Sequence, residues 1–214
     1  MISDIYFIFE CIALLIVLIQ YKNLKHSIYK YFLPYLICIV VYEYGSILYW
    51  FNINNSNLYI TNITEIGNFL FYSIFLYNLL NNQSFKKIVS TLIPLTLFCA
   101  LINMVLIQGF WKLDSITILL QQAVIIVIVC LYFYELMNSI EDEVSIVKLP
   151  AFWLNTGLLF FCLSNFLFFS SFAFMAYRDS YKYLILVRVI ANVANVILYS
   201  CLSFCFLCFN KTTK

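Results

Sequence analysis

The sequence predicts an all-α polytopic membrane bundle of seven transmembrane helices, with the N-terminus outside and the C-terminus in the cytoplasm. Three observations carry this. Charged residues are only 10% of the 214 and apolar ones 64%. A soluble domain carries about 25% charged residues, so this chain lacks the polar side chains to cover a water-facing surface. Hydropathy breaks divide it into seven runs near the length of about 20 residues that crosses the hydrocarbon core. The runs are too long for membrane strands and lack the two-residue alternation of a barrel. One domain, 1–214, is expected, with no room for a sizeable soluble module.

The first span, about 5–21, is apolar except for Glu10 and, near its end, Gln20. No basic segment precedes it and no small-residue cleavage site follows, so an uncleaved helix is expected rather than a signal peptide. The second, about 32–51, opens with Leu33-Pro34, and proline is tolerated in a first turn. Its polar stripe is Glu43, Ser46 and Trp50. The third, about 61–80, is diluted at its start by Thr61, Asn62, Thr64 and Glu65, and carries Glu65, Asn68 and Tyr72 along one face. The fourth, about 88–108, holds Pro94 deep enough to kink it. The fifth, about 115–137, carries Gln121 and Gln122. The sixth, about 149–175, and the seventh, about 182–209, are long enough to tilt or protrude. The seventh has the sharpest pattern: Arg188, Asn192, Asn195 and Tyr199 fall at i, i+4, i+7 and i+11, on one face.

Orientation follows from Lys and Arg. Lys22, Lys25, Lys30, Lys86, Lys87, Lys148, Lys211 and Lys214 fall on one side of the expected membrane. Lys112, Arg178 and Lys182 fall on the other. The positive-inside rule makes the richer side cytoplasmic.

Four ionisable residues therefore lie within lipid-spanning stretches and away from their ends: Glu10, Glu43, Glu65 and Arg188. A charge at bilayer depth costs ~2.5–3.5 kcal/mol on the insertion scale, so such residues face the protein interior and carry a role. Counting from the outer ends at 1.5 Å per residue puts all four roughly 6–12 Å deep. Gln121, Gln122, Asn68, Asn103 and Asn165 enter the same expected slab. Interhelical glue, at about 0.6 kcal/mol per hydrogen bond, is the plain reading of the scattered amides. Three carboxylates against one arginine are harder to reduce to glue. Burial disfavours their charged forms, so at least one calls for a proton or a cation.

Absences narrow the chemistry. The only histidine, His26, lies in the first cytoplasmic connection, which argues against a three-histidine zinc hydrolase and a Ser–His protease. The aspartates Asp4, Asp114, Asp142 and Asp179 lie outside the spans or at their edges, and no lysine lies mid-span. All eight cysteines fall inside spans, and Cys201, Cys205 and Cys208 read as packing residues. No cofactor and no metal site is expected, and no basic cluster suggests nucleic acid. An enzyme is disfavoured, although Glu43 with Glu65 leaves carboxylate acid–base chemistry open.

Thr64-Glu65-Ile66, the run Pro150-Ala151-Phe152-Trp153-Leu154-Asn155-Thr156-Gly157 and the asparagine pair of the seventh span resemble a group of small seven-helix integral membrane proteins of Bacteroidetes-type bacteria. The resemblance covers most of the chain. It implies a multi-pass protein of the cell inner membrane and no particular chemistry.

The expected function is binding or sensing of a cationic or zwitterionic small molecule in a polar pocket in the outer half of the bundle. Its residues are Glu43, Arg188, Glu10, Glu65, Asn192, Asn195, Tyr199 and Gln122. The expected partners are the lipid bilayer, that ligand and a cytosolic signalling partner. A small secondary transporter or proton-coupled carrier is the alternative, and an accessory or scaffold subunit the third. Few glycines and no clear repeat weigh against a transporter.

Overall fold

The computed structural model describes residues 5–53, 56–139, 145–175 and 180–209, except the side chains of 139 and 171–188. Its regular structure is helical, apart from one isolated bridge between Ile53 and Ser56. Helices α1 (Ile5–Leu24), α2 (Phe32–Ile47), α3 (Leu58–Leu79), α4 (Gln83–Ile102), α5 (Ser115–Ser139), α6 (Pro150–Met175) and α7 (Ser180–Cys208) follow in order. Short 3-10 turns precede α2 (Ile28–Tyr31) and α6 (Ile146–Lys148), and a π-helical segment (Asn103–Ile107) continues α4.

Among the described residues, five helices are long and apolar enough to cross a membrane: Ile5–Leu24, Gln83–Ile107, Ser115–Asn138, Pro150–Ser170 and Val189–Cys208. In lipid every backbone N–H and C=O must be paired inside the segment, which is why such runs are helical. The remaining two differ from them for identifiable reasons. α2 has 16 residues, about 24 Å of helix. It stops at Ile47 rather than near 51, and Tyr49 turns the chain with a left-handed φ of 59°. Trp50 therefore lies beyond the helix, and the expected stripe Glu43–Ser46–Trp50 is cut. α3 has 22 residues but carries Thr61, Asn62, Thr64 and Glu65 in its first two turns. α4 starts one turn earlier than hydropathy suggests, because the Asn82 side chain caps it by accepting from the Ser84 N–H at 2.8 Å. Pro94 sits inside α4.

The chain divides into two compact units, Met1–Gly45 with Glu141–Lys214, and Ser46–Ile140. In the first, α7 packs against α6 and α1. Ala194, Leu198, Leu202 and Phe206 form the buried face of α7, and Ala13, Val17, Leu154 and Leu158 belong to the same core. Phe206 meets Phe32 edge-on at 5.4 Å, and Trp153 stacks on Phe204 at 5.1 Å. Gly157 is required: a Cβ there would lie 2.7 Å from the Cβ of Cys201. Small residues at such crossings let membrane helices approach closely.

In the second unit, α3, α4 and α5 pack against one another around Phe69, Phe75, Leu76, Val89, Ala100, Ile128 and Val129. Glu135 of α5 caps the α3–α4 connection, accepting from the N–H groups of Asn81 (2.8 Å) and Asn82 (3.3 Å). Large apolar side chains point outward throughout, as with Ile19, Leu106 and Met137. Hydrocarbon, not water, is the solvent that makes such a surface stable.

A carboxyl pair as the candidate functional site

α1 sets Tyr6 and Glu10 one turn apart, on the same face. Glu10 is 1% exposed. Its carboxyl is close enough to Glu43 of α2 to interact with it electrostatically, and the Tyr199 hydroxyl of α7 lies within hydrogen-bonding reach. The Tyr6 hydroxyl donates to Glu43 Oε2 at 2.9 Å. Three helices of the first unit thus bring together two carboxyls and two phenols. Glu10 Oε2 has no hydrogen-bond partner among the described residues, and no ion pair among them involves either carboxyl.

An ionised group at such a position loses its hydration, at a cost of several kcal/mol, unless a counter-charge or a full set of donors replaces it. Two phenol donors are a partial replacement for two carboxylates, each of which accepts up to about four hydrogen bonds. The pair therefore attracts positive charge, whether a proton or a cation.

The other expected site residues are distributed as follows. On α7, Asn192 is buried and Asn195 half-buried. The Asn195 amide turns back to donate to Ala191 O at 3.0 Å, which spends one donor on its own helix. The α7 backbone at Arg188 is helical, but the Arg188 side chain lies outside the described residues. Glu65, half-buried on α3, and Gln122, buried on α5, belong to the second unit. Gln122 Oε1 has no hydrogen-bond partner among the described residues.

The thiols fit a packing role. Cys205 is buried, the Cys201 Cβ fills the space beside Gly157, and the Cys208 thiol points to Val147 O at 3.8 Å. Among the described residues no group of three or more His, Cys, Asp or Glu side chains is arranged to hold a metal ion.

Sequence reasoning missed Tyr6, whose one signal was its spacing four residues before Glu10. It also missed a second polar centre, where Asn62 of α3 clamps the α4–α5 connection. The Asn62 amide donates to Phe110 O (3.1 Å) and Lys112 O (2.8 Å), and its Oδ1 accepts from the Asp114 N–H (3.1 Å).

No protein-family model, no curated protein and no solved structure matches this chain.

Proposed function

We propose that the chain is a multi-pass protein of a bacterial inner membrane, with all seven helices inserted and the N-terminus outside. In this reading Glu10 and Glu43 bind the positively charged group of a cationic or zwitterionic small molecule, and the protein senses or sequesters it. One observation carries the proposal: Glu10 is fully buried beside a second carboxyl, with one oxygen left unpaired. Tyr6 and Tyr199 suit such a ligand, since phenol rings offer both a hydroxyl and a π face to an ammonium group. The Lys and Arg asymmetry supports the orientation. α2, though short, is apolar apart from Glu43 and Ser46, and membranes thin locally to admit short spans. Arg188 would receive the acidic end of a zwitterion.

A proton-coupled carrier is the second reading. The same two carboxyls favour it, because a carboxyl pair can exchange a proton for a bound cation. Flux separates the two. Proteoliposomes are assayed for uptake of radiolabelled amines and for proton movement, with Glu43→Gln and Arg188→Gln as controls. Binding without flux supports the sensor. Coupled flux abolished by both substitutions overturns it in favour of the carrier.

A further inference from the structure

The second unit buries two side-chain oxygens at one point with no donor for either among the described residues. Asn103 opens the π-helical segment at the end of α4, closed by the bond from Gln108 N–H to Asn103 O at 2.9 Å. Such π segments recur at functional sites, because the widened turn displaces a side chain from its regular position. The Asn103 amide nitrogen faces three acceptors: Gln108 Oε1 at 2.9 Å, Thr117 Oγ1 at 3.1 Å, and Asp114 Oδ1. It has two hydrogens, and Gln108 Oε1 also accepts from the Ile116 N–H at 3.2 Å, which leaves both hydrogens for Asp114 and Thr117. Asn103 Oδ1 and Asp114 Oδ2 are both buried with no partner among the described residues. Asn103 is 4% exposed and Asp114 2%. Exchanging the amide's oxygen and nitrogen would not help, because it would set an oxygen against the Asp114 carboxyl.

We propose that Asp114, Asn103 and Thr117 form a site for a monovalent metal cation, with sodium as its occupant. Carboxylate, amide and hydroxyl oxygens are ligands for hard cations. One carboxylate among neutral oxygens is neutralised by a single positive charge, whereas a divalent ion would leave a net charge buried. The end of α4 supplies the carbonyl-rich helix terminus that favours cations, and the first turn of α5 favours negative charge at Asp114. The surrounding frame is fixed. Gly109, with φ of 84°, reverses the chain, and Asn62 holds the loop carbonyls and the Asp114 N–H. Gln108 Nε2 donates to Ser115 Oγ at 3.0 Å. Such supporting contacts are what keep ligands in position. This site shares no residue with the carboxyl pair and does not rest on the function proposed for it.

The test is thermal unfolding of the detergent-purified full chain in NaCl, KCl, LiCl and CaCl₂ at matched ionic strength. Wild type should show a saturable rise in Tm with sodium. Asp114→Asn should abolish that rise while still folding, because asparagine keeps the shape and an oxygen that accepts from Asn103 Nδ2. Thr117→Val should shift the midpoint to at least about tenfold higher sodium. Glu10→Gln should keep the full sodium response, which separates this site from the carboxyl pair. Equal Tm in all four salts would overturn the proposal, as would a response to calcium alone. A sodium response that survives Asp114→Asn would overturn it too.

Discussion

The two polar centres differ in how their hydrogen bonds balance, and the difference separates polar groups satisfied in place from those that call for a further partner. In the second unit Asn62 is fully matched: both amide hydrogens reach carbonyls and its oxygen receives an N–H. Nothing is left over, so Asn62 is a clamp. In the first unit Glu10 has an oxygen left over next to another acid. Buried polar groups are nearly always paired, so each exception calls for an explanation. The same count applied around Asn103 and Asp114 again leaves oxygens over. Both leftover groups are acceptors, and acceptors in excess call for positive charge.

This contrast predicts opposite signs for two substitutions. Asn62→Leu should be the most damaging change, since it strands two carbonyls and an N–H. At about 1–3 kcal/mol for each stranded group, a loss of at least about 3 kcal/mol is expected, read as a large drop in Tm. Glu10→Gln should move Tm the other way or leave it unchanged. A neutral amide of the same shape removes the cost of burying a charge. A Glu10→Gln variant as damaged as Asn62→Leu would break the comparison. Tyr6→Phe removes the donor to Glu43 and should cost about 1 kcal/mol. That cost should shrink in a Glu43→Gln background, a coupling that a double-mutant cycle measures. Glu135→Ala should be the mildest, at about 0.5–1 kcal/mol, since it removes a cap at an exposed helix start.

How far each feature was legible follows from these same residues. Seven helices were readable as apolar runs of helical length, five of them long and apolar enough to cross a membrane. The end of α2 was not, because Leu48, Tyr49, Trp50 and Phe51 are as apolar as the helix before them, so hydropathy passes over the turn at Tyr49. The start of α4 was hidden for the opposite reason: Lys86 and Lys87 are helical but polar. Glu10, Glu43 and Tyr199 stood out as polar residues in apolar runs. Tyr6 did not, since a tyrosine near the end of a span reads as an interfacial anchor. Counting depth from helix ends put Glu65 and Gln122 in the same layer as Glu10. Depth does not say which helices are neighbours, and the structure assigns those two residues to the other unit. The Asn62–Asp114 contact joins residues 52 apart, each of which taken singly reads as a loop or a glue residue.

The central claim is that the Glu10–Glu43 pair holds a positive charge supplied by a ligand. Its most direct test is calorimetric titration of wild type, Glu10→Gln and Glu43→Gln with a series of amines from ethanolamine to tetramethylammonium. Saturable binding of at least one amine to wild type, lost in both variants while their Tm is maintained, is the result expected. Absence of saturable binding across the series, or equal binding by all three proteins, would contradict it.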